Sequence, residues 1–228
     1  VINPINVMLT PEEVAFVVKD CGAAALFTTA DRAAPILGLK QESDLKEIII
    51  FGDEPLDGAV SFNEMAQVGG DEFDAVTVDA SEMSTICYTS GTTGFPKGAM
   101  LSHRNVVLCS AITAAMNMRT EHDVELTSLP LPHVYGGVLL NLGFLFGITL
   151  VLLEKFDAAE TLAAIKRHKV TIMDGVPTMY FYMLADLEFD SYDLSSLTRC
   201  VVGGQTMPAA KSEEWTNRAG CEIFELWG

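Results

Sequence analysis

Residues 88–105 read YTSGTTGFPKGAMLSHRN, with Ser90-Gly91-Thr92-Thr93-Gly94 and then Pro96-Lys97-Gly98 set between two apolar segments. A turn needs only one or two residues of this kind. Successive backbone N–H groups in a glycine-rich loop leading toward a helix form a concavity suited to anions. The hydroxyls of Ser90, Thr92 and Thr93 add donors, and Lys97 adds a mobile cation suited to a polyphosphate tail. Two other loop chemistries fail on spacing. Lys97 precedes Gly98, so no Gly-Lys-Ser/Thr closes a Walker A loop. Ser90 follows Thr89 and precedes Gly91-Thr92, which breaks the G-x-S-x-G pattern of a nucleophile elbow. The plain alternative is an oversized surface loop. His133, after Pro132 at a strand-to-helix junction, is the second candidate, its plain alternative being a helix cap or a core histidine. His103, His122 and His168 read as surface or helix-end residues. Met116, Met118, Met179 and Met183 read as core-facing helix positions.

The elements that must position these residues alternate. Thr10-Pro11-Glu12-Glu13 starts a helix with a capping hydroxyl, proline in the first turn and acids beside it. That helix ends at Cys21-Gly22, and the strands AALFTT and EIIIFG follow. Residues 53–83 form an acidic connection with a helical piece near Phe62–Gln67. The strand TICYT then leads into the hydroxyl-rich loop and a helix from about His103 to Met118. Beyond it, strands ELTSLP, ITLVLLE, VTIMDGV, RCVVGG and CEIFELWG alternate with helices at 134–146, 158–168, from Pro177 and from Pro208. Strands separated by helices of ten to fifteen residues predict an α/β fold of largely parallel sheets with helices on both faces. In such folds, ligands sit beyond the carboxyl ends of the strands.

Composition narrows the partners. The 228 residues are 49% apolar and carry a net charge of −17, with 16 of the 31 acidic residues but only 4 of the 14 basic ones in positions 1–84. That balance opposes binding to nucleic acid or an anionic membrane, which use basic patches. An anionic ligand therefore has to be held by local backbone amides and a few cations. Cys21, Cys87, Cys109, Cys200 and Cys221 show no C-x-x-C pair or metal-ligand spacing, so no metal site is expected. Cys87, Cys109 and Cys200 sit in apolar settings and read as small buried hydrophobes, which suits a reducing compartment, the cytoplasm. No basic, cleavable leader opens the chain. Residues 134–153 run without a charge for the length of a membrane span. Gly136, Gly137, Gly143 and Gly147 interrupt them, so a buried helix followed by a buried strand is expected.

The loop YTSGTTGFPKGAMLSH resembles the signature of the AMP-forming, adenylate-forming superfamily, which includes acyl-CoA synthetases, aryl-CoA ligases, adenylation domains and beetle luciferases. Every position of its [ST]-[SG]-G-[ST]-T-G-x-P-K-G core is matched from Thr89 through Gly98. INPINVMLTPEEVAFVVKDCGAAALFT is similar to the segment that precedes that loop. LPLPHVYG, VTIMDGVPTMY, RCVVGGQTMP and IFELWG resemble the family's later motifs, in order. The resemblance implies two steps: a carboxylate attacks the α-phosphorus of Mg2+-ATP, and coenzyme A thiol then displaces AMP. It implies that Thr89, Ser90, Gly91, Thr92, Thr93, Gly94 and Lys97 hold the phosphates, and that Gln205, Trp227 and Gly228 flank the nucleotide. His133 would lie beside the carboxylate and α-phosphate, making it and Lys97 the candidate catalytic residues. Tyr135, Val176, Pro177, Thr178, Gly203 and Gly204 would line the acyl pocket with His133. Ordinary core packing is the plain alternative for these.

The pattern also departs from the family. Gln205 stands where a small residue is usual after the paired glycines. Residues 1–228 read as one partial adenylation domain, part of the large domain, that stops before the family's Thr-Glu. The ribose-binding Asp segment and the small C-terminal domain with its catalytic Lys are not in these residues. The expectation is an ATP- and acyl-binding core of an acyl-CoA synthetase, inactive in isolation. A nucleotide-binding module and an inert fragment are the alternatives. The apolar segments at 134–146 and GVPTMYFYML favour a fatty acid, with an aryl acid as the other choice.

Overall fold

The computed structural model describes residues 1–70, 72–89 and 96–227. The phosphate-loop candidates Ser90, Gly91, Thr92, Thr93 and Gly94, and the nucleotide candidate Gly228, lie outside the described residues. The chain divides into two compact units, residues 1–103 and 104–228.

In the first unit, α1 (Pro11–Asp20) begins as the sequence predicts. Thr10 Oγ1 accepts from the Glu13 N–H while Glu13 Oε2 accepts from the Thr10 N–H, a reciprocal cap. Strands β1 (Ala25–Thr29), β2 (Glu47–Phe51) and β3 (Val60–Ser61) form a parallel sheet in that order. Between them come the short helices α2 (Ala30–Ala33) and α3 (Leu39–Glu42), and α4 (Phe62–Val68) follows. Val18, Ile36, Leu45, Ile48 and Ile50 make the core.

The rest of this unit corrects the expectation of a strand, a loop and then a helix. β4 (Met83–Thr89) pairs antiparallel with a further strand, β5 (Lys97–Ser102), from Thr89 opposite Lys97 to Met83 opposite Ser102. The loop therefore joins two strands of a ribbon, and the next helix, α5 (His103–Met116), begins six residues beyond Lys97. KGAMLS holds no β-branched or aromatic residue, so its propensity gave no strand; pairing with β4 makes one. Gly98 suits that pairing, because a Cβ there would lie 2.7 Å from Ile86 Cγ2 and 3.2 Å from Tyr88 Cζ. β4 is half-buried, not buried, and so is Cys87, whose thiol burial pushes up.

In the second unit, β6 (Val124–Thr127), β7 (Thr149–Leu152), β8 (Ile172–Gly175), β9 (Arg199–Gly203) and β10 (Ile223–Leu226) form one parallel sheet, ordered β10-β9-β8-β6-β7. The helices α6 (Val134–Phe146), α7 (Ala158–His168), α8 (Pro177–Leu184) and α9 (Ala209–Ala219) connect the strands as the periodicity predicts. The two faces carry different cores. Leu126, Met173, Cys200 and Val202 pack with Tyr180, Met183, Phe189 and Trp215. Across the sheet, Ala114, Leu129, Leu139, Leu142, Ile148 and Met179 pack together.

Two expectations for side chains fail. Met116 and Met118 are exposed, at 69% and 73%, and Cys109 is exposed, whereas Met179 and Met183 are buried as predicted. α5 is apolar on every side, so its sequence does not say which face turns inward; Ser110 and Ala114 do. The uncharged 134–153 segment is a helix and a strand, and α6 is buried on one face only, with Phe144 81% exposed. Among the described residues, no helix is long and apolar enough to cross a membrane.

Candidate functional site

The strand order of the second sheet sets where a site forms. The chain leaves β6 for β7 on one side, then crosses back to place β8 on the other side of β6. Such a reversal opens a crevice beyond the carboxyl ends of the two strands. The turn after β6 supplies His133, the one after β8 supplies Val176 and Pro177, and the end of β9 supplies Gly203 and Gly204.

His133 caps α6. Its Nδ1 accepts from the Tyr135 N–H at 3.2 Å, so the neutral imidazole carries its proton on Nε2. The capping role and the ligand-facing role are compatible here, because the residue is exposed and only Nδ1 is committed to the helix. Gly136 lets the turn close against α6: a Cβ there would lie 2.3 Å from the Pro130 carbonyl oxygen.

Register explains how Tyr135 reaches the sheet. Asp174 lies beside Val201, and side chains alternate along a strand, so Asp174, Val201 and Gly203 share one face. Glu125 lies beside Ile172 and falls on that same face. Tyr135, on α6 above it, donates from its hydroxyl to Asp174 Oδ1 at 2.7 Å. Its ring covers Gly203, where a Cβ would lie 2.7 Å from Tyr135 Cε1. Gly204 has φ +81°, a left-handed conformation that glycine tolerates, and a Cβ there would sit 3.6 Å from Val176 Cγ1. Tyr135, Val176, Gly203 and Gly204 are thus brought together.

The remaining candidates are placed less closely. Pro177 is buried in the first turn of α8, and Thr178 is exposed beside it. Gln205 is exposed after the glycine pair, and Trp227, just past β10, is 97% exposed. In the first unit, Lys97 and Thr89 face each other across the β4–β5 ribbon, with Thr89 Oγ1 donating to the Lys97 carbonyl at 3.4 Å. A cavity of about 490 Å3 in that unit is lined by Ile5, Val14, Leu26, Pro35 and Phe51 among others, and by none of the predicted site residues.

Sequence reasoning missed a buried ionic group beneath the crevice. Arg119 donates from Nη2 to Asp174 Oδ2 at 2.7 Å and from Nη1 to Glu125 Oε2, and all three side chains are fully buried. The signal was present: Glu125 and Asp174 are single acids inside apolar strands of a sheet covered on both faces, where a charge needs a partner. Burial pushes the Glu125 carboxyl up to about 8, helped by the Asp174 charge and opposed by Arg119. Burial also raises Asp174, with Arg119 as the main opposing influence. Asp174 accepts from Arg119 and Tyr135, whereas Glu125 Oε1 has no hydrogen-bond partner among the described residues. Burial thus favours one retained proton on this acid pair, and the unbonded Glu125 Oε1 is the oxygen open to carry it, which would leave one cation beside one anion. Burial and the Asp174 charge keep Tyr135 a neutral phenol.

This proton makes stability depend on pH. A raised folded pKa means that the folded chain binds a proton the unfolded chain has released, between about 4.5 and about 8. That contribution is complete at the acid end and is lost as pH rises, at most about 1.4 kcal/mol per pH unit. Glu125→Gln mimics the neutral carboxyl and is expected to flatten the slope. Urea denaturation of both proteins at pH 5.5 and pH 8 measures it, and equal slopes would refute the assignment.

Comparison with known proteins gives a consistent answer. The model of the AMP-binding family, described as "AMP-binding enzyme", matches residues 1–228. A long-chain-fatty-acid–CoA ligase of Bacillus subtilis (strain 168) is 35% identical over 150 residues, covering 64% of this chain and 27% of its own length. A 4-coumarate–CoA ligase of Solanum tuberosum is 34% identical over 220 residues, covering 94% of this chain and 39% of its own. The crystal structure of the anthranilate CoA ligase AuaEII in complex with anthranoyl-AMP superposes with a TM-score of 0.90 at 28% identity, covering 99% of this chain and 45% of that one. The chain therefore spans less than half the length of each of these proteins.

Proposed function

Since the chain belongs to the AMP-binding enzyme family, we propose that it supplies the ATP- and acyl-binding core of an AMP-forming acid–CoA ligase. The observation that carries this reading is the meeting of Tyr135, Val176, Gly203 and Gly204 at the carboxyl ends of β8 and β9, beside the exposed His133 that caps α6.

In the first step a carboxylate oxygen bonds to the α-phosphorus of ATP, and the bond from that phosphorus to the bridging oxygen breaks to release pyrophosphate. In the second, the sulfur of coenzyme A bonds to the acyl carbon, AMP leaves, and the thiol proton is given up. In this reading His133 donates from Nε2–H to an oxygen of the carboxylate or α-phosphate, a role supported by the commitment of its Nδ1 to the helix cap. Its contribution is position and charge stabilisation, the main needs of this chemistry. Lys97, with Thr89 and the loop 90–94, holds the β- and γ-phosphates. Gln205, Trp227 and Gly228 flank the nucleotide, and Pro177 and Thr178 border the acyl group. Among the described residues, no group of three His, Cys, Asp or Glu side chains is arranged to hold a metal. Mg2+ is proposed only as the ion that accompanies ATP, and no step is assigned to it.

A fatty acid is the proposed substrate class, supported by the apolar residues Tyr135 and Val176 and by a relative named for long-chain fatty acids. Aryl acids are the second reading, favoured by the relatives named for 4-coumarate and anthranilate. The cytoplasm is the proposed location, on the five free cysteines.

The test is ATP–pyrophosphate exchange by the complete gene product that carries this segment, with fatty and aryl acids as substrates. Exchange with at least one acid supports the reading, and none with any acid overturns it. The 228 residues alone are expected to show none. Lys97→Ala in the complete protein is expected to weaken ATP binding about tenfold or more, the loss of one charge-assisted contact. Calorimetric titration with ATP measures this, and unchanged affinity would remove Lys97 from the phosphate site.

A further inference from the structure

We propose that Asp174 is a positioning residue of the acyl crevice, acting through the hydroxyl of Tyr135 to hold its ring against Gly203. The inference rests on the ligase reading above and adds residues to it.

Three observations carry it. The Tyr135 hydroxyl donates to Oδ1 of the fully buried Asp174 carboxylate at 2.7 Å. Asp174 is itself fixed, because its other oxygen accepts from Arg119 Nη2 at 2.7 Å and both side chains are fully buried. The Tyr135 ring rests where a side chain at residue 203 would otherwise stand, so its position sets one wall of the space beside Val176. A free tyrosine turns about two side-chain bonds; an anchored hydroxyl fixes the first, and because its oxygen lies on the axis of the second, packing of the ring on Gly203 sets that one. With the hydroxyl committed inward, the wall offered to an acyl group is the carbon of the ring. Asp174 is fully buried, so its effect on an acyl group must travel through Tyr135.

The experiment compares four variants in the complete gene product, by steady-state ATP–pyrophosphate exchange with the best acid. Tyr135→Phe keeps the ring and removes only the anchor. It is expected to raise KM for the acid about three- to tenfold, the worth of one hydrogen bond, with kcat and KM for ATP within about twofold. Asp174→Asn keeps an acceptor oxygen and is expected to leave the acid KM near the wild-type value. Asp174→Ala is expected to raise it as much as Tyr135→Phe. The double variant Tyr135→Phe/Asp174→Ala should show no further rise in acid KM even though its Tm falls further.

A merely structural Asp174 would lower Tm without this selective change in acid KM. An unchanged acid KM in Tyr135→Phe, or effects that multiply in the double variant, would overturn the proposal while leaving the ligase reading intact. No exchange by the wild-type protein with any acid would overturn that reading and this inference together. Tyr135→Phe leaves the buried charges in place, so the proposal stays testable on that variant if either Asp174 variant fails to fold.

Discussion

Arg119→Met is expected to destabilise the 104–228 unit by about 3–5 kcal/mol, the usual cost of removing one partner from a buried ion group. The guanidinium is the only cation joined to Asp174 and Glu125 among the described residues, and all three side chains are fully buried. Methionine fills much of the same volume, so the loss reports charge more than a cavity. The sign of its pH dependence follows. Without Arg119, both acids keep a proton to higher pH than in the wild type, because burial already raises each and Arg119 is what opposes it. Stability present while both are protonated is then lost as pH rises through those raised values. The variant should be nearest the wild type at about pH 5 and furthest from it at about pH 8. Urea denaturation across that range checks both magnitude and trend, and a loss independent of pH would contradict the assignment.

Gly136→Ala is the second large effect, about 3 kcal/mol, the upper end of the usual cost of overpacking. A Cβ at residue 136 would lie 2.3 Å from the Pro130 carbonyl oxygen, 2.8 Å from its carbon and 3.1 Å from Leu131 Cα. All three are backbone atoms, so no rotamer change relieves the clash, and the turn between β6 and α6 must move. That turn carries His133, and the first turn of α6 carries Tyr135. Gly137→Ala is a fitting control, since its Cβ would meet only the Leu131 carbonyl at 3.4 Å. Thermal denaturation should separate the two variants clearly. Equal Tm values would show that the turn yields more easily than its contacts imply.

The second unit was the more legible in sequence because its signals are local. Pro177 opens α8, Asp157 caps α7, and the glycines Gly147 and Gly220 end α6 and α9 in left-handed conformations. β5 was not legible: Lys97, Gly98 and Ala99 favour no strand, and only the partner strand supplies one. For α5 the difficulty was the reverse, since apolar residues all round leave no stripe to assign. The candidate residues of the crevice were found through motif order, which gave positions without contacts. Their support was half visible. Glu125 and Asp174 stand out as acids in apolar strands, but Arg119 comes from a loop, and nothing local links it to either.

The β4–β5 ribbon has a consequence for how this chain can change. Side chains alternate between the two faces of a paired strand, so sliding the pairing by one residue turns each of them over. Lys97 stands opposite Thr89, with seven residues between them. Losing or gaining one of those seven would either strain the connection or slide β5 along β4, and the slide would send the Lys97 ammonium to the opposite face. The count of residues between the strands is therefore a constraint separate from their identity. Substitutions there act one side chain at a time, whereas an insertion or deletion re-aims the whole strand.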